Sequence, residues 1–299
     1  MRIGFIGVGS IGRPMAAQLL AAGHQLIVHD RRPEAAAGLL NAGAVWAASP
    51  AEVAAQCDLV ATCLPGPPEM EAVCFGAQGL LAAMPAGGLY VDHTTNSPML
   101  VRHVHEVLAT KGVAMVDAPV SGGTEGARTR DLLVMAGGDP AALARARPEL
   151  DAIATRVLHT GGIGSGTVAK LMHNCAVFSL DLVMAECWTV AVKAGVAPET
   201  IVRVFTEAAL GRMTNLTVRL PATYLRGNFE PRFALELAHK DLSLALELAR
   251  STEIPLRLGA LCKQEMGEAI ARGWSNRDAS IFLTLQEERA GVQVRLPED

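Results

Sequence analysis

Apolar positions fall in short runs through the first 160 or so residues and at helical spacing after that. Residues 2–6, 25–29, 59–64, 89–92, 113–117, 132–136 and 157–158 are short β-rich segments. Between them lie amphipathic stretches with helix signals. Residues 13–22 are closed by Gly23, residues 33–41 stop at Gly43, and Ser49-Pro50-Ala51-Glu52 forms a capping box. Further helices are expected up to about residue 75, over 97–111 and over 140–154. Strands alternating with helices predict an α/β fold with a mostly parallel, doubly wound sheet, whose ligands collect at the carboxyl ends of the strands. After Gly161 no convincing strand follows. Residues 198–208, 215–224, 235–250, 255–272 and 278–290 all read as helices, so the second part is expected to be all-helical. There is no internal repeat and no low-complexity tract.

The two parts are joined by the most apolar stretch of the chain. After the Gly-Ser cluster of residues 161–166 a helix can run to about residue 194, where Gly195 stops it. At 1.5 Å per residue its roughly 28 residues span about 42 Å. Val168, Leu171, Met172, Val177, Phe178, Leu182 and Trp188 cover most of its circumference, which predicts burial on several sides. Lys170 and Asn174, four apart, project from one face. A lysine there either snorkels near the helix end or has its charge disfavoured by burial, so that it can exchange a proton near neutrality. The helix alone leaves both readings open.

Composition narrows the function. Of 299 residues, 50% are hydrophobic and 19% charged, enough for a substantial core and too ordered a balance for disorder. A formal net charge of −4 argues against phosphate neutralisation and hence against a nucleic-acid partner. The N-terminal apolar run is too short and too Gly-rich for a signal or a membrane span. Asp181 and Glu186 interrupt the long helix, and no membrane association is expected. Six cysteines, at 57, 63, 74, 175, 187 and 262, form no C-x-x-C pair, and the histidines do not cluster at metal-ligand spacing. The expectation is no metal, buried thiols and a reducing cytoplasmic compartment, with Cys175 in a packing role.

The chemistry begins at Gly7-Val8-Gly9-Ser10-Ile11-Gly12. This glycine turn follows a strand and opens a helix, and the second strand ends at Asp30. That is the Rossmann-type dinucleotide unit: Gly7 for the tight turn, Gly9 for close approach of the pyrophosphate, Gly12 for helix packing, with the phosphates on the helix N-terminus. Gly7, Gly9, Ser10, Ile11 and Gly12 are therefore cofactor candidates, together with Asp30, Arg31 and the turn residues Leu64 and Pro65 at the same edge of the sheet. Asp30 favours NAD by accepting from the ribose 2′-OH. Arg31 and Arg32 could receive a 2′-phosphate, so NADP is possible and NAD is expected. The expected division is a dinucleotide-binding Rossmann domain over 1–162 and an all-helical domain for substrate and oligomerisation over 163–299, joined by the long helix.

Three further stretches stand in register with the glycine turn: Asp117-Ala118-Pro119-Val120-Ser121-Gly122-Gly123, the run from Gly164 to Asn174, and Lys240-Asp241-Leu242. Together they resemble the β-hydroxyacid dehydrogenase family, which includes 3-hydroxyisobutyrate dehydrogenase and tartronate semialdehyde reductase, over nearly the whole chain. The resemblance implies a substrate carboxylate held by Ser121, Gly122 and Gly123, a catalytic Lys170 with Asn174, and Lys240 and Asp241 near nicotinamide and substrate. It also implies a hydroxyl near the nicotinamide at Thr95. The physics is compatible. Ser121 to Gly123 can expose N–H groups as an anion nest, and Lys240 can add positive charge. Burial and the charge of Lys240 would both lower the Lys170 pKa. Departures from the family pattern are His173, read as a packing histidine where asparagine is common, and Arg128-Thr129-Arg130-Asp131 in place of small residues.

The expected activity is hydride transfer between NAD(P) and C3 of a small 3-hydroxy acid or its semialdehyde, with Lys170 as general acid/base. The alternatives are an imine reductase, whose relatives typically lack this lysine, and a non-catalytic nucleotide-binding scaffold. A small carboxylate is the expected ligand and a homodimer or homotetramer the expected assembly, since so apolar a helical domain calls for a covering subunit. Phe233, Met213 and Trp274 are candidate pocket residues.

Overall fold

The structure, a computed structural model, describes residues 1–297 and divides into two compact units, one of residues 1–176 and one from Val177 onward. The first unit contains β1 (Arg2–Ile6), α1 (Gly12–Ala21), β2 (Gln25–His29), α2 (Ala37–Asn41), β3 (Val45–Trp46), α3 (Pro50–Gln56), β4 (Leu59–Thr62), α4 (Pro67–Phe75) and α5 (Leu80–Ala83). It continues with β5 (Leu89–Asp92), α6 (Pro98–Ala109), β6 (Ala114–Asp117), β7 (Val120–Ser121), α7 (Gly123–Thr129), β8 (Leu133–Gly138), α8 (Pro140–Ile153) and β9 (Arg156–Gly161). Then α9 (Ser165–Lys193) crosses from the first unit into the second.

The sheet order is β3-β2-β1-β4-β5-β6-β8-β7, with β9 on β8. From β3 to β6 all pairings are parallel, and β8 runs antiparallel to β6 and β7. Period-two alternation sorts the strand side chains into two layers. Ile3, Phe5, Leu59, Ala61, Leu89 and Val91 pack into one cluster that includes Met15 of α1 and Leu150 of α8. Ile27, Val60, Tyr90 and Met115 pack into the other, with Val53 of α3, Met70 of α4 and Val104 of α6. Both faces are covered, as a doubly wound sheet requires, and the sequence-based fold class holds.

Several short elements escaped the sequence. β3 and β7 have two residues each and α5 has four, too few for periodicity to register. The expected helix over 33–41 splits into a 3₁₀ turn (Pro33–Ala36) and α2. The segment after Gly122, where no helix was expected, is α7, which ends at Arg130 in the left-handed conformation (φ 65°). Glycine favours that position. Here the Arg130 guanidinium donates twice to the Asp151 carbonyl, at 3.0 and 2.7 Å, and Arg128 pairs with Glu125 at 2.6 Å.

The second unit contains no named strand among its described residues. Its helices are α10 (Pro198–Glu207), α11 (Leu220–Ala222), α12 (Leu235–Ser251), α13 (Arg257–Ala271) and α14 (Thr284–Ala290). The expected helix over 215–224 is a π-turn (Asn215–Arg219) that runs into α11, and the one over 278–290 opens as a 3₁₀ turn (Ala279–Leu283) before α14. Phe229, Leu235, Ala269, Ile281 and Leu285 form its core, with Trp274 packed against it. Met213 and Phe233 are exposed.

α9 corrects the sequence on one point. Burial on several sides was expected, yet Met172 is 62%, Phe178 67% and Leu182 55% exposed, because no element within the chain covers those faces. Cys175 and His173, expected to pack, are exposed on the same helix. By length and composition alone α9 is the one helix among the described residues able to cross a membrane. Its Glu186 has a different use. The carboxylate accepts from the backbone N–H groups of Arg257 (2.9 Å), Leu258 (3.2 Å) and Gly259 (3.5 Å), and so caps the N-terminus of α13. Glu186→Ala should lower unfolding stability by about 1–2 kcal/mol in urea titrations. Asp181→Ala, at an exposed position of the same helix, should change it by less than about 0.5 kcal/mol. Equal effects of the two would show that the cap contributes nothing.

Candidate active site

The glycine turn follows β1, whose parallel partners β2 and β4 place their carboxyl ends beside it. Gly7 has φ 92°, and a Cβ there would collide with the Cys63 carbonyl; a Cβ on Gly12 would strike the Gly7 carbonyl and crowd Phe5. Gly9 faces open space. The turn is thus tight where it must be and bare where a pyrophosphate would approach. A cavity of about 500 Å³ opens over it, and Gly7, Gly9, Ser10, Ile11, Gly12, Asp30, Arg31, Leu64 and Pro65 all line it. Arg32, the other candidate for a 2′-phosphate, lines it as well, as do His29, Glu69 and Val73, which the sequence did not single out. Asp30 is pinned by two backbone donors, Val8 N–H at 3.0 Å and Arg32 N–H at 2.9 Å. Its carboxylate thus has a fixed orientation at the cavity edge. These residues fit a bound dinucleotide.

Further along the sheet the strands end in acids that the motifs had not assigned. Asp92 and Asp117 stand side by side in register at the ends of β5 and β6. Asp92 accepts from the Thr62 hydroxyl (2.8 Å), the Thr94 N–H (3.1 Å) and the Asn96 amide (3.1 Å). Burial, opposed by those donors, raises its carboxyl above the ordinary range. The Thr94 hydroxyl is taken by the Leu64 N–H at 3.1 Å, which ties the β4 and β5 loops together. Thr95 is half-buried and spends its hydroxyl on no protein partner among the described residues, which leaves it available at the position expected beside a nicotinamide.

Asp117 has two roles. Its backbone leads into Ala118 and the Ser121–Gly123 segment, while its carboxylate accepts from the Gly164 N–H (2.7 Å), the Thr167 N–H (2.7 Å) and the Thr167 hydroxyl (2.9 Å). It therefore caps the start of α9. Small residues let the helix approach: a Cβ on Gly166 would collide with the Met135 carbonyl, and one on Gly137 with Asp117 itself. An acid ending a strand just before a Pro-x-Ser-Gly-Gly segment was the available signal for this cap.

Lys170 lies one turn beyond Thr167. It is 9% exposed, and among the described residues no group forms an ion pair or hydrogen bond with its ammonium. Burial lowers its pKa. Asn174, on the same face, is half-buried, and its Oδ1 lies 3.4 Å from His173 Nδ1. Gly122 (φ 139°) and Gly123 (φ 65°) take left-handed conformations, and Gly123 faces open space, so the segment after Ser121 presents backbone rather than side chains. Lys240 and Asp241 belong to the second unit. They are exposed on α12 and paired with each other at 2.9 Å. No group of three or more His, Cys, Asp or Glu side chains able to hold a metal occurs among the described residues.

Residues 2–162 match the family model described as the NAD binding domain of 6-phosphogluconate dehydrogenase, and residues 164–285 match that described as NAD-binding of NADP-dependent 3-hydroxyisobutyrate dehydrogenase. The 2-(hydroxymethyl)glutarate dehydrogenase of Eubacterium barkeri is 34% identical over 294 residues, covering 98% of this chain and 97% of that protein. The chain belongs to the β-hydroxyacid dehydrogenase family. Among solved members, the Mycobacterium tuberculosis 3-hydroxyisobutyrate dehydrogenase with L-serine has a TM-score of 0.65 at 32% identity, covering 95% of this chain and 98% of that one. The reductive aminase of Aspergillus terreus has a TM-score of 0.82 at 20% identity, covering 95% and 99%, a likeness of fold alone. With the family come a nicotinamide dinucleotide cofactor and oxidoreductase chemistry.

The burial of Lys170 sets a pH test. A neutral amine can take a proton and an ammonium can give one, so with a lowered pKa oxidation should rise, and reduction fall, as pH increases through that value. Lys170→Ala should lower kcat by about 10²-fold or more and remove this limb of the profile. Lys170→Arg should not restore it, because a guanidinium stays protonated. A variant with wild-type kcat and an unchanged profile would make Lys170 structural.

Proposed function

We propose that the protein transfers a hydride between NAD(P) and C3 of a small 3-hydroxy acid or its semialdehyde, like that of 3-hydroxyisobutyrate or tartronate. The observation that carries this reading is the placement of Lys170: buried, unpaired, and one helical turn from the Asp117 cap whose own backbone leads into Ser121–Gly123. The bound nicotinamide supplies the hydride acceptor or donor. Lys170 takes the hydroxyl proton during oxidation and returns it during reduction. Asn174 hydrogen-bonds the reacting oxygen and orients the amine. Ser121, Gly122 and Gly123 hold the substrate carboxylate with backbone N–H groups and one hydroxyl, and Lys240 adds charge once it leaves Asp241. A retained lysine in this position favours a hydroxy acid over an imine.

Asp30 favours NAD. A carboxylate held by Val8 and Arg32 is directed to accept from a ribose hydroxyl and to repel a 2′-phosphate. The functional boundary is proposed at 162/163, with the long helix on the substrate side. The protein works in the cytoplasm as a homodimer or homotetramer, the second copy covering the exposed side chains of α9. Burying each of Phe178 and Leu182 would contribute about 1.5–3 kcal/mol.

A rate survey of 3-hydroxy acids and semialdehydes with NAD(H) and NADP(H) tests the activity, and kcat/KM should be higher with the unphosphorylated cofactor. Preference for the phosphorylated one would shift the decision from Asp30 to Arg31. For the nest, Ser121→Ala should raise KM for the acid several-fold with little change in kcat, as when an interaction made equally in ground and transition states is lost, about 1 kcal/mol. Equal turnover of an ester and its acid by the unmodified enzyme would refute carboxylate binding.

A further inference from the structure

His93 has no part in the chemistry above, yet it sits at the centre of the parts that do. It follows Asp92 on the loop that carries Thr94 and Thr95, and its side chain is fully buried. Its Nδ1 lies 2.8 Å from the Ala118 carbonyl and its Nε2 2.9 Å from Glu149 Oε1 on α8. Its ring stacks on Phe5 of β1, with centroids 6.4 Å apart and planes 17° apart, and Phe5 in turn lies against Gly12 of the glycine turn. One imidazole therefore touches the segment leading to Ser121, the loop leading to Thr95, the strand under the glycine turn, and α8.

A carbonyl oxygen can only accept, so Nδ1 must carry a proton. Nε2 faces Glu149 Oε1, and with Glu149 as the carboxylate, donation there makes the ring an imidazolium paired with it. The other Glu149 oxygen, Oε2, is buried with no hydrogen-bond partner, so the imidazole is the one group among the described residues bonded to that side chain. The charged groups acting on the ring are Glu149 from α8 and Asp92 from β5. β1 offers the uncharged Phe5 ring, and the β6–β7 turn offers the Ala118 carbonyl. Both acids raise the His93 pKa against the opposing effect of burial.

We propose that His93 is a positioning residue, a buried imidazolium whose two N–H groups lock the Ala118–Ser121 turn and the Thr94–Thr95 loop onto α8 and so fix the carboxylate nest relative to the cofactor loop. This rests on the carboxylate-nest reading of Ser121–Gly123.

The direct test is NMR of the wild-type enzyme labelled on its histidine rings. His93 should show protons on both nitrogens at about pH 7.5, above the ordinary histidine value of about 6.5; a ring carrying a proton on only one nitrogen at that pH overturns the proposal. The functional test replaces the pair by apolar residues, which buried ion pairs commonly tolerate. His93→Leu with Glu149→Leu should melt cooperatively and raise KM for the acid by about tenfold, with a smaller fall in kcat. In the Glu149→Leu background, His93→Asn returns a donor at the Nδ1 position and should recover most of that KM, which a purely space-filling role would not do. Wild-type KM in the first double variant, or no recovery in the second, overturns the assignment. Ser121→Ala run in parallel separates the two readings. If it leaves KM unchanged the nest itself is wrong, and if it raises KM while the His93 variants do not, only the positioning role falls.

Discussion

The carboxylate of Asp117 at the start of α9 is the contact on which the site depends. A helix of 29 residues leaves its first N–H groups without intrahelical acceptors, and here two of them, with the Thr167 hydroxyl, converge on one acid that ends a central strand. The favourable interaction of an anion with the positive end of the helix adds to the hydrogen bonds. Burial works the other way, raising the Asp117 carboxyl, and the three donors oppose it. Loss of the cap would release the first turn of α9, and with it the register of Lys170, three residues past Thr167. The same acid precedes Ala118, so the Ser121–Gly123 segment would lose its anchor in the same event. Gly137 and Gly166 are part of this arrangement, since a side chain at either would force helix and strand apart before the hydrogen bonds could form.

Much of this was legible in the sequence. Strand and helix periodicities gave the doubly wound sheet, because parallel strands buried on both faces are continuous apolar runs, and the glycine turn marked its edge. What remained hidden was of two kinds. Elements of two to four residues, such as β3, β7 and α5, carry too little pattern to be distinguished from turns. Long-range polar contacts carry none: Asp117 meets Thr167 across 50 residues, and His93 meets Glu149 across 56. α9 misled for another reason. An all-round apolar helix states that its faces will be covered, but not whether by its own chain. Lys240 shows the same limit from the polar side: its pairing with the neighbouring Asp241 is a contact that the motif did not announce.

Besides the Asp117 cap, two systems of buried polar groups meet at the β5 loop, with different electrostatics. Around Asp92 every partner is neutral: Thr62, itself 2.8 Å from the Tyr90 hydroxyl, then the Thr94 N–H and Asn96. Such a network fixes loop geometry through directional hydrogen bonds, and the unpaired carboxyl is pushed upward by burial. Around Glu149 the partner is ionisable, the His93 imidazole. Both systems end at the β5 loop, one at Thr94 and the other at His93. Adjacent residues of one loop are thus held from opposite directions, towards β4 through Leu64 and towards α8 through Glu149.

Along the face of α9 that carries Lys170 exposure increases over the first turns, and that gradient sets the environment of the lysine. Gly164, Gly166, Thr167 and Lys170 are buried, Asn174 is half-buried, and Phe178 is exposed. A lysine in the first turn would feel the positive helix terminus, but it would also lie against the Asp117 carboxylate, which would hold the proton on. One turn later the helix field has largely decayed and the acid is already occupied by its three donors. What remains is desolvation, the one cause that lowers the Lys170 pKa here. Two turns later, at the level of Asn174 and beyond, exposure would remove that too. Position 170 is therefore the turn in which burial acts on the amine without a neighbouring carboxylate to cancel it, and an uncancelled desolvation is what a lysine must have to exchange protons near neutrality.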